Sequence, residues 1–230
     1  VVLSDIIGDR LIEAEKGLRD QGIEVLAENS DVTDPADCER LVKSAVDRFG
    51  KIDILVNNAG ISIVADFEEC MPDVCKRLIE INLLGPVNMT LAALDHLKSS
   101  RGHIVFVSSV SGIRAIPTGS IYSSSKAALR SLAESLRLEL KPYGIHVGVI
   151  VPGFTTTDPS KTVMKGDGTP RPINRPPHDT PEGVAKGIAR LIEKRERERV
   201  LTRLGKATAI FQRISPSLLD RLLAGRELKS

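Results

Sequence analysis

What most constrains this chain is an alternation. Short runs rich in β-branched and apolar residues are each followed by a longer stretch with apolar residues at helical spacing. A strand that feeds a helix and then another strand has its natural partner in the same sheet, so the pattern specifies an α/β fold with a largely parallel sheet. Strands are predicted at residues 1–5, 23–28, 52–56, 103–108, 145–151 and about 198–202. Helices are predicted at about 9–21, 35–49, 70–99, 120–141 and 181–194. Leu11, Ala14 and Leu18 carry the period in the first helix, and Leu41, Ala45 and Phe49 in the second. The expected fold class is α/β, a doubly wound parallel sheet. The stretch from 152 to 181 holds seven of the thirteen prolines and reads as a long irregular loop of the kind that covers a site.

Composition narrows the function classes. With 230 residues, 41% apolar and 27% charged, the chain has enough apolar matter for a sizeable core. A net charge of +2 and 3% aromatic residues, with no Trp, argue against a nucleic-acid partner. Cys38, Cys70 and Cys75 have neither disulfide nor zinc spacing, so no metal is expected and a reducing, cytoplasmic compartment is. No apolar run approaches the ~18 residues of a membrane span. Charge is uneven: residues 186–230 hold twelve Lys or Arg against five Asp or Glu.

Ligands of open α/β sheets bind beyond the carboxyl ends of the strands. Asp5, Asp31, Asn57 to Gly60, Ser108 with Ser109, and Pro152 with Gly153 all fall there. Tyr122 and Lys126 are four apart at the start of the helix after Ser109 and so share one helical face. A phenol with a pKa near ~10 is a poor base at neutral pH, and a neighbouring ammonium favours its ionised form. Ser109 would add a hydroxyl to hold a substrate oxygen. A Tyr and a Lys at this spacing equally suit a solvated helix face.

Asn57-Asn58-Ala59-Gly60 after a strand, Ser109 thirteen positions before Tyr122, the run Tyr122-Ser123-Ser124-Ser125-Lys126, and Pro152-Gly153 after the next strand occur in one order. Together they resemble the short-chain dehydrogenase/reductase family in its compact form, over about residues 1–195. The resemblance implies a Rossmann-like fold, with Tyr122 as the catalytic acid/base and Ser109 orienting the substrate oxygen. It implies that Lys126 lowers the Tyr122 pKa and holds the nicotinamide ribose. Asn82 matches an asparagine that supports a proton-relay water, a helix kink being the alternative. On the cofactor side, Asp5 matches the group that meets the adenosine ribose, Asp31 and Val32 those that contact adenine, and Asn57, Ala59 and Gly60 the adenosine-side lining. Asn57 reads equally as a clamp on the sheet. Pro152, Gly153 and Thr157 match the segment facing the nicotinamide, a task Thr155 could share.

The family's glycine-rich phosphate loop has no counterpart here, because Val1 to Asp5 align with its second strand. The first central strand is thus absent, and the residues present should form two half-sheets with unpaired, buried edges. The expectation is a working polypeptide that extends N-terminal to Val1 and carries that loop. Residues 1–195 are expected to form the dinucleotide-binding and catalytic domain, and 196–230 its last strand and a basic amphipathic extension. The resemblance implies interconversion of a secondary alcohol and a ketone with NAD, preferred over NADP because Asp5 would repel the extra phosphate. The rivals are a cofactor-sensing protein without turnover and a membrane-associated scaffold. A homodimer or homotetramer is expected. Leu201, Leu204, Ala207, Phe211 and Ile214 repeat at helical spacing, and a second short helix runs through Leu218, Leu219, Leu222 and Leu223. Residues 200–224 are expected to pack over the substrate-loop side or against another subunit, ahead of docking on an anionic membrane.

Overall fold

The computed structural model describes residues 1–155, 162–173 and 179–224. Strand β1 (Val2–Asp5) runs into helix α1 (Gly8–Arg19) and returns as β2 (Leu26–Asn29), parallel to β1. After α2 (Pro35–Phe49) the chain enters a second parallel sheet at β3 (Ile54–Asn57), followed by β4 (His103–Val107), β5 (His146–Val151) and β8 (Glu198–Val200) in the order β3-β4-β5-β8. The sheet is therefore in two parts, as the sequence leads one to expect of these residues. Its open edge at β3 is not buried, however: Ile54 and Val56 are exposed.

Period-two alternation along the central strands sorts the core into two layers. Ile104 and Phe106 of β4 and Val147, Val149 and Val151 of β5 pack with Met89, Ala93 and Leu97 of α4 (Gly85–Ser100) and with Leu129 and Ala133 of α5 (Ser120–Glu139). Val105 and Ile150 point the other way and pack with Leu191 of α6 (Pro181–Glu193). Fully burying each such side chain contributes roughly 1.5–3 kcal/mol. Helices cover both faces, which makes the fold a doubly wound, Rossmann-like α/β sheet.

Three elements depart from the sequence pattern. The predicted helix 70–99 is broken into α3 (Pro72–Ile79), a π-helical turn (Glu80–Leu84) and α4. The irregular stretch contains an antiparallel pair, β6 (Thr162–Met164) and β7 (Pro170–Pro172). The tail forms α7 (Arg203–Ile214) and α8 (Pro216–Ala224), with Thr202 capping α7 by accepting from the Gly205 amide.

Candidate active site

The site is built where β4 ends. Ser108 is buried and its hydroxyl donates to the Lys126 carbonyl at 2.7 Å, which ties the strand end to α5. Ser109 accepts from the Ser111 amide at 3.2 Å and caps the short 3₁₀ turn Val110–Gly112. A β-carbon built on Gly112 would lie 2.7 Å from the Lys126 carbonyl carbon and oxygen, so only glycine lets this turn lie against α5. The Ser109 hydroxyl, on the same turn, acts on the Tyr122 phenol to favour its ionised form. Lys126 is buried, donates from Nζ to the Val107 carbonyl at 2.9 Å, and stands 5.9 Å from the centre of the Tyr122 ring. Burial pushes the Tyr122 phenol above its ordinary value, and the Ser109 hydroxyl pulls it down by less. The net direction is opposite to the depression expected from Lys126, because loss of water around the phenolate dominates.

Asn82 sits in the π-helical turn and is completely buried. Its Oδ1 accepts from the Ile61 amide at 2.8 Å, and its Nδ2 donates to the Ile61 carbonyl at 2.9 Å and to Ser125 Oγ at 3.1 Å. Ser125 in turn donates to the Tyr122 carbonyl at 2.8 Å. The asparagine thus fastens the loop after β3 to the first turn of α5. Asn82 lies in the π turn, where an extra residue is accommodated in a helix. A β-carbon on Gly60 would fall 3.2 Å from Asn82 Oδ1 and 3.3 Å from Lys126 Nζ. Gly60 therefore leaves open a cradle beside the lysine that a side chain would fill, and Asn58, Ala59 and Gly60 are exposed along it. A flat ring with donor and acceptor groups at its rim is compatible with that cradle.

The remaining sequence-selected residues lie at the carboxyl ends of strands. Asp5 ends β1, exposed, and its Oδ1 accepts from the Ile7 amide at 2.9 Å. Asp31 Oδ1 accepts from the Thr33 amide and hydroxyl at 2.9 and 2.8 Å. The Val32 carbonyl accepts from Asn88 Nδ2 at 3.1 Å, and its side chain fills the space left by Gly85, where a β-carbon would be 2.6 Å away. Asn57 is buried and donates to Thr90 Oγ1 at 3.3 Å, which is the clamp reading. The Pro152 carbonyl accepts from the Val110 amide at 3.0 Å, and Gly153 lies against Thr202, which a β-carbon would meet at 2.7 Å. Thr155 bridges to Asp179. Thr157 lies outside the described residues. No glycine-rich strand-to-helix turn occurs among the described residues: the β1–α1 turn has Gly8 alone, with nothing within 4 Å of a β-carbon built on it. Sequence reasoning assigned no role to Gly112 or Ser125. Neither spacing nor composition flags them, although Ser125 stands inside the Tyr-Ser-Ser-Ser-Lys run.

A parallel doubly wound sheet with Ser109, Tyr122 and a buried Lys126 gathered where β4 ends defines a class of dinucleotide-binding α/β proteins. The chain belongs to the short chain dehydrogenase family, whose model matches residues 1–168. It is 34% identical over 204 residues to dehydrogenase/reductase SDR family member 7B of Xenopus laevis, covering 86% of this chain and 63% of that one. It spans about three fifths of the length of such curated relatives. Among solved structures it is similar to an alcohol dehydrogenase from Thermococcus sibiricus complexed with 5-hydroxy-NADP, with a TM-score of 0.74, 28% identity, and 87% and 84% of the two chains covered. It is also similar to an NAD+-bound xylitol dehydrogenase, with a TM-score of 0.66, 33% identity, and 68% and 61% covered.

Proposed function

We propose that this chain carries the proton-transfer site of a nicotinamide-dependent oxidoreductase that interconverts a secondary alcohol and a ketone. The observation that carries this reading is the buried Lys126 ammonium, 5.9 Å from the centre of the Tyr122 ring, with the Ser109 hydroxyl acting on the same phenol. When bound, the nicotinamide supplies or accepts the hydride. The groups that would hold it are Lys126, Pro152, Gly153, Thr155 and Thr157 on the nicotinamide side, and Asp5, Asp31, Val32, Asn57, Ala59 and Gly60 on the adenosine side. Ser109 donates to the substrate oxygen and fixes it against the Tyr122 hydroxyl. In the reducing direction the neutral phenol gives that oxygen its proton; in the oxidising direction the phenolate removes it. Tyr122 packs against the apolar cluster of Ile63, Ala65 and Leu78, which favours an alcohol or ketone with an aliphatic or ring skeleton.

Tyr122→Phe removes the proton carrier and little volume. It should retain cofactor binding, measured by fluorescence titration, and lose at least ~100-fold in kcat. Retention of more than about a tenth of kcat would remove Tyr122 from this role.

Cofactor choice rests on the chain's own residues, because one of the two structures it resembles holds 5-hydroxy-NADP and the other NAD+. We propose a preference for NAD, carried by Asp5.

A further inference from the structure

Helices α7 and α8 have one side against the body of the protein and another in water. Arg114, five residues after Ser109, donates to Gln212 Oε1 at 3.2 Å and pairs with Asp220. Gly205 lies against Val110, which a β-carbon there would meet at 2.7 Å. Thr202 rests on Gly153. The helix pair is thereby anchored on the two segments that follow β4 and β5, at the end of the sheet where the candidate active site lies.

The other side is apolar and uncovered. Leu204, Ile210, Phe211 and Ile214 of α7 are exposed, Ile214 by 75% and Leu204 by 60%, and Leu218 and Leu222 of α8 are exposed as well. Residues 204, 207, 211 and 214 fall on one stripe of a helix, with 210 at its margin. Arg203, Lys206 and Arg213 run along the adjacent stripe, and Arg221 projects from α8; all four are exposed. The single acid of these two helices, Asp220, is engaged by Arg114. The outward side therefore combines large apolar side chains with positive charge that no free acid of α7 or α8 offsets.

We propose that α7 and α8 form a docking surface for an anionic lipid bilayer, with the apolar stripe entering the headgroup boundary and the basic residues meeting the lipid charges. A helix of this kind lies in the interface plane, and its binding sums buried apolar area with attraction to anionic lipid. At ~1.5 Å per residue, the 12 residues of α7 reach well short of the ~30 Å hydrocarbon core, so the contact is peripheral. Charge favours this occupant over a second copy of the chain: a two-fold interface would bring two sets of Arg203, Lys206, Arg213 and Arg221 together, while the one acid of α7 and α8, Asp220, is engaged by Arg114. Docking in this way would bring the segments after β4 and β5 to the membrane, where an apolar alcohol or ketone concentrates.

The test is co-sedimentation of the full chain with phosphatidylcholine vesicles, with and without phosphatidylserine at about three parts in ten. Binding should require phosphatidylserine, weaken as salt is raised, and fall at least about tenfold in K206E/R213E, each basic residue near an anionic surface contributing to attraction. F211S/I214S should lose binding too, while circular dichroism and cofactor titration stay as in the parent chain. Equal binding to both vesicle types, no binding to either, or variants that bind like the parent would overturn the proposal. So would a concentration-dependent dimer in sedimentation velocity that the same substitutions disperse, since the face would then be covered by a second copy.

Discussion

At the scale of single residues, Tyr122 sets the pH behaviour. Its phenol is held above the ordinary value of ~10 because burial outweighs the opposing effect of the Ser109 hydroxyl. The raised value keeps the hydroxyl protonated through neutral pH, so the chain alone is poised as an acid, the state carbonyl reduction needs. The difference in phenolate absorbance between the parent and Tyr122→Phe should therefore titrate above ~10. A midpoint below that value would show that Lys126 dominates. Asp5 makes a second residue-scale prediction. An exposed carboxylate at the end of β1 can accept from both ribose hydroxyls, while a 2′-phosphate would bring ~−1.5 to −2 charges toward it. The ratio of kcat/KM for NAD over NADP should exceed about tenfold and shrink in Asp5→Ser. A ratio unchanged by the substitution would place the discrimination elsewhere. The chemistry-bearing trio Ser109, Tyr122 and Lys126 was legible in the sequence because its spacing is local to one strand end and one helix start. The direction of the Tyr122 shift was not legible, because desolvation depends on the cluster of Ile63, Ala65 and Leu78, which comes from distant parts of the chain.

At the scale of elements, close approaches decide the geometry, and these are what a one-dimensional pattern shows least. The apolar period from 70 to 99 continues across the break, so a single helix is the natural reading. The structure interrupts it because buried Asn82 turns to bond Ile61, and because Gly85 yields its side-chain space to Val32. Likewise β7 contains Pro170 and Pro172, which lack the N–H that a strand ladder uses, yet a two-stranded edge pair tolerates them. The most consequential close approach is Gly112 on the backbone of Lys126. Since the opposing atoms are carbonyl carbon and oxygen rather than a side chain that can swing away, Gly112→Ala must push the 3₁₀ turn off α5. Overpacking of this kind costs about 1–3 kcal/mol. For a chain of this size that lowers Tm by roughly 2–4 °C per kcal/mol. Because Ser109 rides on the same turn, kcat should fall along with Tm. A variant with lowered Tm but unchanged kcat would show that the Ser109–Tyr122 contact does not depend on this packing.

At the scale of the whole molecule, the two ends of the four-stranded sheet are chemically different, and they should respond to pH separately. The carboxyl ends carry Ser109, Tyr122 and Lys126. The amino ends of β4 and β5 carry His103 and His146, directly paired in register, with their Nδ1 atoms 3.2 Å apart and the rings edge to face. Only one of those nitrogens can hold the shared proton, so the contact needs at least one neutral ring. His146 Nε2 meets the Glu196 carbonyl at 3.1 Å, and Arg195 adds positive charge beside both rings. Burial, and then Arg195, lower the His103 pKa below 6.5; burial, His103 and Arg195 lower that of His146, against a smaller upward pull from the Glu196 and Arg195 carbonyls. For a base depressed on folding, the neutral form is favoured in the folded state. The folded state then has its full stability above the unfolded pKa of ~6.5 and loses it as pH falls from there through the folded values, because the unfolded chain takes up protons first. The urea midpoint should therefore decline between about pH 7 and pH 5, above the range where most carboxylates titrate. His146→Gln keeps a hydrogen-bonding side chain that does not titrate and should flatten that decline. Cofactor affinity at a fixed pH should be unaltered by this substitution, since the pair lies at the opposite end of the sheet from the candidate site. An equally steep decline in His146→Gln would assign the acid sensitivity to other groups.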